Sequence, residues 1–234
     1  LEKIISLCNK LNIAVVEDAS ESLGTFYKIG KYKNKHTGTI GKIGCISFNG
    51  NKIITTGGGG IILTNDSFFA EKAKYLTTQA KDDPIKYIHN EVGYNFRLTN
   101  IQAALGVAQL EKLPEFLKKK KEIYQLYIDE INKIEGLQIA ETPDYASNNH
   151  WMNVLKIDSK LYMQDRDSTM KILEQNGVES RPVWRLNHKQ KPYKNSQSFK
   201  IDKAEKLLIK SLCLPSSSNL KISQIDKIIS VLNG

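Results

Sequence analysis

The sequence is poor in the residues that build disulfide frameworks and metal centres. It has only three cysteines and four histidines among 234 residues. Neither set shows the spacing of metal ligands. Cys8, Cys45 and Cys213 lie far apart in apolar surroundings, which favours reduced thiols in a core. We therefore expect no metal site and no disulfide framework.

Long apolar runs are also missing. No run reaches the length of a membrane span, and the first residues lack the basic-then-apolar pattern of a secretory signal. Hydrophobic residues still make up 40% of the chain, which is enough to bury the core of one or two domains. We expect a cytoplasmic protein with no membrane partner.

Arginine is scarce, although the formal net charge is +9. The excess is lysine spread along the chain, and its densest block, Lys118–Lys121, falls in a helical pattern where a solvated face is the ordinary explanation. Recognition of nucleic acid would favour clustered arginines and interleaved aromatic residues. We expect no nucleic-acid partner, but the positive field can attract a small anionic substrate.

A single lysine stands between two apolar runs in the first half of the chain. The runs Gly44–Phe48 and Gly60–Thr64 have the pattern of buried strands. Lys52 lies between them, and the glycines Gly57–Gly60 follow it. A lysine on a short loop between buried strands is poorly solvated, which favours a nucleophilic amine. The alternative is a surface lysine beside a flexible turn. A nucleotide-binding P-loop is disfavoured, because a strand-like segment and not a helix follows the lysine.

A carboxylate ends an apolar run further upstream. Val15–Ala19 is typical of a strand that ends in Glu17 and Asp18, and ligands bind at that end of open parallel sheets. An acid at a strand end can also simply cap the next helix. Asp18 and Lys52 together fit pyridoxal 5′-phosphate (PLP), which needs a lysine for its Schiff base and a carboxylate to keep its pyridine nitrogen protonated.

Several motifs, occurring in order, resemble the DegT/DnrJ/EryC1/StrS family of sugar aminotransferases. They are Glu17–Gly24, Gly41–Lys52 with the glycine run after it, and Gly93–Arg97. Ser180–His188 resembles the LegC-type branch, which acts on UDP-linked 4-keto-6-deoxy sugars. The resemblance implies the α/β class and PLP-dependent transferase fold type I. We expect a partial large domain with a mainly parallel sheet, and a small α+β C-terminal domain.

We place the large-domain part at residues 1–115 and the small domain with its linking helix at residues 116–234. A long helical pattern starts at Thr99, and Pro114 is expected to kink or restart it. The chain begins at Leu1 in a helix-like pattern, so we expect a fragment that lacks the start of the large domain. In the family that region supplies a phosphate-binding loop and an aromatic residue that stacks on the cofactor. Strands of the small domain are expected at Leu137–Ala140, Trp151–Ile157 and Val178–Val183.

The resemblance implies roles for four residues of a cofactor site. Lys52 bonds the cofactor covalently and moves protons as its freed amine. Asp18 pairs with the pyridinium nitrogen, and Ser47 bonds the phosphate. Glu21 lies near the 3′-oxygen of the cofactor, where many relatives carry glutamine or histidine. A carboxylate there repels a phenolate unless it is protonated or turned away.

The resemblance also implies roles toward a partner subunit and the substrate. Asn95 resembles a residue that reaches across a dimer to the partner's cofactor phosphate, and Arg97 supports that turn. Arg181, Trp184 and His188 fall where relatives line the sugar-nucleotide side of the cleft. A guanidinium suits a diphosphate, and an indole suits an apolar sugar face. Core packing is the alternative for Trp184.

We therefore expect a PLP-dependent aminotransferase that moves an amino group from glutamate to the C4 ketone of a UDP-linked 4-keto-6-deoxy-N-acetylhexosamine. The implied pathway is bacterial surface-glycan biosynthesis, of lipopolysaccharide, legionaminic acid or bacillosamine type, with a homodimer that shares active sites. One alternative is a PLP-dependent sugar dehydratase, but those relatives carry histidine in place of Lys52. Another is a non-catalytic regulatory or assembly protein, which would have no reason to keep both Asp18 and Lys52. Residues 1–234 alone are expected to be inactive.

Overall fold

The computed structural model describes all 234 residues, which form two compact units. The first unit comprises residues 1–117 and 142–151, and the second comprises residues 118–141 and 152–234. The short segment 142–151 thus belongs to the first unit, although the chain has already entered the second before it. The domain boundary between residues 115 and 116 stays a prediction.

Six α-helices and nine β-strands make up the chain. In chain order they are α1 (Glu2–Lys10), β1 (Val16–Asp18), β2 (Phe26–Tyr27), β3 (Ile43–Ser47), β4 (Gly60–Leu63), α2 (Ser67–Thr77), α3 (Asn100–Ile131), β5 (Leu137–Ile139), β6 (Ala146–Ser147), β7 (Asn153–Ile157), α4 (Arg166–Gln175), β8 (Arg181–Pro182), α5 (Asp202–Lys210), β9 (Ser211–Leu214) and α6 (Ile222–Asn233). Two short 3₁₀ turns, Asn187–Lys189 and Lys191–Tyr193, lie between β8 and α5.

The first unit is built on a three-stranded sheet of order β1-β3-β4. Strands β1 and β3 are parallel, with Asp18 opposite Cys45, whereas β3 and β4 are antiparallel, with Ser47 opposite Gly60. Because parallel strands end at the same edge of a sheet, Asp18 and Ser47 lie at one edge. A separate two-stranded antiparallel ribbon pairs β2 with β6.

The core of the first unit lies on both sides of the lysine loop. Its buried residues are Ala19, Ile46, Phe48 and Ile54. Phe48 precedes Lys52 by four residues and Ile54 follows it by two. Burying such a side chain contributes roughly 1.5–3 kcal/mol, so both ends of the loop are anchored by burial. The lysine is therefore held on a short segment whose ends are fixed.

The second unit contains an antiparallel sheet of order β5-β7-β9-β8. Its core packs the second half of α3, α4 and α6 against this sheet, through fourteen buried side chains that include Tyr127, Leu155 and Leu212. The strand predicted at Val178–Val183 is shorter and covers only β8. Proline has no backbone N–H to donate to a neighbouring strand, so it is found in edge strands, which pair on one side only. Pro182 lies in β8, which is an edge strand of this sheet. β7 begins two residues later than predicted.

Helix α3 runs without interruption through Pro114. The predicted restart of the helix at this proline is not observed. Leu113 and Phe116 flank the proline and pack against the core of the first unit, which offsets the cost of an interior proline, about 3 kcal/mol. α3 has 32 residues, but no helix of the structure is both long and apolar enough to cross a membrane.

Two buried polar side chains of α3 hold the segment that follows β9. The ammonium of Lys120 donates a hydrogen bond to the carbonyl of Ser216 over 2.7 Å, and the hydroxyl of Tyr127 donates to the carbonyl of Pro215 over 3.0 Å. Burial lowers the pKa of Lys120 to about 8 and raises the pKa of Tyr127. The charged form of Lys120 is therefore disfavoured in the folded state.

Replacing Lys120 by methionine tests the cost of this buried ammonium. The folded pKa of Lys120 is about 8 and the reference value is 10.5, so the folded state releases its proton first. The unfolding free energy of the wild type therefore rises with pH, by about 2–3 kcal/mol between pH 7 and pH 10. We expect this rise to be absent from Lys120→Met in denaturant unfolding. The raised pKa of Tyr127 lowers stability above about pH 10 in both proteins, so it cancels in the comparison. Parallel stability curves for the two proteins would contradict the assignment.

Candidate active site

The loop that carries Lys52 is closed at its base by the backbone of Phe48. The N–H of Phe48 donates to the carbonyl of Gly59 and its carbonyl accepts from the N–H of Thr56, both over 3.0 Å. Gly59 has φ +88°, a left-handed conformation that a side chain would strain. The N–H of Lys52 donates to the carbonyl of Asn49 over 3.0 Å. These contacts explain why a glycine-rich stretch follows the lysine.

The amine of Lys52 lies between an acid and an aromatic ring. Its side chain is 13% exposed, and its Nζ lies 3.6 Å from Oε1 of Glu21, whose side chain is 53% exposed. The same Nζ lies 4.3 Å from the ring centroid of Trp151. A partly exposed ion pair contributes at most about 1 kcal/mol, whereas a cation over an indole that is shielded from water contributes up to about 2 kcal/mol. The indole is therefore the stronger partner.

Asp18 ends β1 as an exposed carboxylate. Its Oδ1 accepts a hydrogen bond from the N–H of Ser20 over 3.1 Å. Hydrogen bonding from Ser20, by its side chain first and then by its backbone, lowers the pKa of Asp18, and the charge of Lys52 adds to this effect. Asp18 is thus ionised at neutral pH and lies within electrostatic reach of the lysine.

The other acid of this strand, Glu17, has a structural role that the sequence analysis missed. Its carboxylate accepts hydrogen bonds from the N–H groups of Gly38 (2.9 Å), Ile40 (2.6 Å) and Gly41 (2.5 Å). These N–H groups belong to the loop that leads into β3. A Cβ on Gly44 of β3 would overlap the carbonyl of Gly38, so this loop packs directly on the strand. Glu17 therefore holds the loop that enters β3 close to β1. The two adjacent acids have different roles, because Glu17 stabilises the fold whereas Asp18 is exposed.

A short segment from much later in the chain connects the acid turn with the lysine loop. The side-chain amide of Asn149 donates to the carbonyls of Glu21 (2.9 Å) and Leu23 (3.0 Å). The indole N–H of Trp151 donates to the carbonyl of Asn51 over 2.8 Å. Both Asn149 and Trp151 are buried. Trp151 was predicted to start a strand, and no functional role was predicted for it. Its only signal was a polar cluster directly before an apolar run.

Three of the residues predicted to bind the cofactor lie around one recess. Glu21, Ser47 and Lys52 line a small recess together with Trp151, and Asp18 is electrostatically coupled to the lysine. The hydroxyl oxygen of Ser47 accepts from the N–H of Asn49 over 3.2 Å, and its O–H can donate. An amine, a hydroxyl and an ionised carboxylate are the groups that PLP requires. No group of three or more His, Cys, Asp or Glu side chains is arranged to hold a metal ion.

Asn95 and Arg97 lie on an exposed stretch of the first unit. Asn95 forms an isolated antiparallel bridge with Thr78. Because Thr78 directly follows α2, Asn95 lies beside the end of that helix. Arg97 lines a groove beside β4 and α2. The role of Asn95 toward a partner subunit stays a prediction.

The three residues predicted on the substrate side all belong to the second unit. Arg181 lies in β8, and its Nη2 is 2.6 Å from Oε1 of Glu179. Nε2 of His188 lies 3.7 Å from Oε1 of Glu205. The pKa of Glu205 is lowered, first by a hydrogen bond from Lys189. Trp184 is 56% exposed, so it is not a core residue of this unit. The substrate roles of Arg181, Trp184 and His188 stay predictions.

Comparisons with known proteins agree on one family. The model of the DegT/DnrJ/EryC1/StrS aminotransferase family matches residues 1–233. The putative pyridoxal phosphate-dependent aminotransferase EpsN of Bacillus subtilis is 38% identical over 99% of this chain and 59% of its own length. The GDP-perosamine synthase of Caulobacter vibrioides is 34% identical over 100% of this chain and 62% of its own length. A UDP-4-amino-4,6-dideoxy-N-acetyl-beta-L-altrosamine transaminase of Helicobacter pylori is 29% identical over 97% and 60%. The chain thus spans about three fifths of the length of these relatives.

A solved structure gives the same result for the fold. PseC of Helicobacter pylori, an aminotransferase involved in the biosynthesis of pseudoaminic acid, superposes with a TM-score of 0.87 at 25% identity. The superposition covers 99% of this chain and 62% of PseC. The predicted fold, α/β and PLP-dependent transferase fold type I, is confirmed.

Replacing Glu17 by glutamine tests whether its carboxylate holds the loop that leads into β3. In the same rotamer, the amide replaces one of the two acceptor oxygens that serve three N–H groups, so at least one of these donors loses its partner, at a cost of roughly 1–3 kcal/mol if that donor is buried. We expect faster hydrogen exchange at Gly38, Ile40 and Gly41, measured on the whole protein by mass spectrometry or NMR. Glu71→Gln on the exposed face of α2 is the matched control. Unchanged exchange in Glu17→Gln would show that the carboxylate does not hold this loop.

Proposed function

The chain belongs to the DegT/DnrJ/EryC1/StrS aminotransferase family, and we propose that it forms the lysine-bearing part of a PLP-dependent nucleotide-sugar aminotransferase. Residues 1–115 are the part of the large domain that binds the cofactor, and residues 116–234 are the small domain with its linking helix. The observation that carries the proposal is the grouping of Lys52, Ser47 and Glu21 around one recess, with Asp18 coupled to the lysine. A dehydratase is disfavoured, because the position of the Schiff-base residue holds Lys52.

Residues of the recess, together with Asp18, match the parts of PLP one by one. Lys52 is the covalent attachment point, and the hydroxyl of Ser47 donates to a phosphate oxygen. Asp18, kept ionised by Ser20, holds a proton on the pyridine nitrogen through charge. When bound, PLP supplies an electron sink for the carbon next to the transferred nitrogen. Glu21 faces the amine at 3.6 Å, so its carboxylate is directed toward a cation.

Lys52 has a second task once its amine is released. The free amine accepts a proton at one carbon and returns it at another, which is the general acid–base work of an amino transfer. The side chain is 13% exposed, and this low exposure keeps bulk water from exchanging the proton. The loop is anchored by the buried side chains of Phe48 and Ile54. The backbone of Lys52 therefore stays in place while its amine reaches the two carbons between which the proton moves.

We propose glutamate as the amino donor and the C4 ketone of a UDP-linked 4-keto-6-deoxy-N-acetylhexosamine as the acceptor. Support comes from the name of the Helicobacter relative, a transaminase of a UDP-linked amino sugar. The GDP-perosamine synthases are also relatives, so a GDP-linked acceptor is the competing outcome. Such sugars serve bacterial surface glycans, and we propose that the enzyme acts in the cytoplasm as a homodimer. Asn95, on its exposed stretch, then reaches the cofactor phosphate of the partner subunit.

Replacing Lys52 by alanine is the primary test of this function. Borohydride reduction of the whole protein after addition of PLP should leave a stable adduct on Lys52, and Lys52→Ala should lose it. Lys112→Ala, at an exposed lysine of α3, is the matched control and should keep it. Asp18→Asn should retain the adduct but lose most of its turnover, because the pyridinium is no longer held. An adduct that persists on another lysine in Lys52→Ala rejects the assignment.

Replacing Arg181 by alanine tests the substrate side. The loss of one charge-assisted contact with a diphosphate costs roughly 1.5–3 kcal/mol, so KM for the UDP-sugar should rise about ten- to a hundredfold. The half-reaction with glutamate should stay near the wild-type rate. Glu179→Gln removes the ion partner of Arg181 but keeps its guanidinium, so it should not raise KM. An equal loss in the glutamate half-reaction contradicts a role restricted to the sugar nucleotide.

A further inference from the structure

Trp151 makes two different contacts with the lysine loop. Its indole N–H donates to the carbonyl of Asn51, the residue before the lysine, over 2.8 Å. Its ring face meets the amine of Lys52, with 4.3 Å from the ring centroid to Nζ. The hydrogen bond to Asn51 holds the loop, and the ring face contacts the amine at the end of the Lys52 side chain. A buried indole N–H needs an acceptor in any case, but a residue that served only the core would not need the contact with the amine.

The position of the indole is itself fixed. The backbone N–H of Trp151 donates to Oδ1 of Asn149 over 3.0 Å, and the side-chain amide of Asn149 bonds two carbonyls of the acid turn. Trp151 is 7% exposed. The ring therefore offers a fixed face to the amine, whereas the Glu21 carboxylate stands on a side chain that is 53% exposed.

We propose that the ring face of Trp151 is the resting place of the Lys52 amine whenever that amine is not bonded to the cofactor. The inference rests on the proposed function, because it requires an amine that is alternately bonded and released. In the exchange, the carbon–nitrogen bond to Lys52 breaks as a carbon–nitrogen bond to the substrate nitrogen forms. The substrate attacks as a neutral amine and Lys52 leaves as a neutral amine, so the number of protons is unchanged. Lys52 becomes the ammonium that rests over the ring when it takes up a proton. Trp151 acts as a positioning residue for this exchange.

A resting place of this kind has a defined energetic consequence. It stabilises the released state of Lys52 relative to the linked state, because only the released ammonium sits over the ring. Weakening the ring face should therefore strengthen the covalent linkage with PLP and slow the release of Lys52. A purely structural role predicts the opposite for the linkage, since a loosened loop binds the cofactor less well. The sign of the change distinguishes the two explanations.

Fluorinated tryptophans test the ring face without removing the side chain. Each fluorine weakens the negative potential above the ring, while shape and N–H are kept, so folding is preserved. Cofactor-free whole protein with tryptophan, 5-fluoro-, difluoro- or trifluorotryptophan is titrated with PLP. Linkage is measured by absorbance and by borohydride-trapped adduct at Lys52. We expect the association constant to rise across the series by roughly three- to tenfold in total. The rate of the glutamate half-reaction should fall across the same series.

The matched control is the same fluorinated series in Trp151→Phe. Every other tryptophan, including Trp184, then carries fluorine while position 151 does not, so the association constant should stay level. In the protein that keeps Trp151, the association constant could instead stay level or fall across the series while the adduct still forms on Lys52. That result would contradict the proposed resting place but leave the proposed function intact. A protein that forms no adduct on Lys52 under any condition contradicts both.

Discussion

The parallel pairing of β1 with β3 is the constraint on which the site depends. It brings the carboxyl ends of both strands to one edge, so that Asp18 and Ser47 lie at the same end of the sheet. Glu17 secures this pairing by accepting three backbone hydrogen bonds from the loop that enters β3. Adjacent acids thus separate two tasks. The carboxylate of Glu17 is hydrogen-bonded within the fold, and the carboxylate of Asp18 remains exposed and available to a ligand.

The lysine is positioned by contacts that surround it, and only weakly by its ionic partner. Burial of Phe48 and Ile54 anchors the loop, and the indole N–H of Trp151 holds the residue before the lysine. The amine is left with one apolar, electron-rich face and one half-exposed carboxylate. This surrounding restrains a long, flexible side chain without a strong hydrogen bond that each cycle would have to break. Such restraint suits the proposed role of Lys52, in which the amine is bonded and released in turn.

Much of the cofactor site could be predicted from the sequence, because its parts lie in short motifs. Lys52 between two apolar runs and Asp18 at the end of another are local patterns, and the structure has Lys52 between β3 and β4 and Asp18 at the end of β1. Their roles toward a cofactor stay predictions. Predictions that depended on competition between local and distant forces were less accurate. Pro114 interrupts no helix, because Leu113 and Phe116 bury their side chains beside it. The strand around Arg181 is short, because it pairs only at the edge of its sheet.

The sequence by itself determined the chemistry available to this chain, since residue types and their order along short motifs are local properties. An amine, a hydroxyl and a carboxylate at strand ends could be named without coordinates. Only the tertiary structure decided which distant groups complete the site. Trp151 lies 100 residues beyond Asn51 of the loop, and Asn149 lies 128 residues beyond Glu21 of the turn. Contacts of this kind depend on how the whole unit packs, and a periodic pattern in a short window cannot encode them.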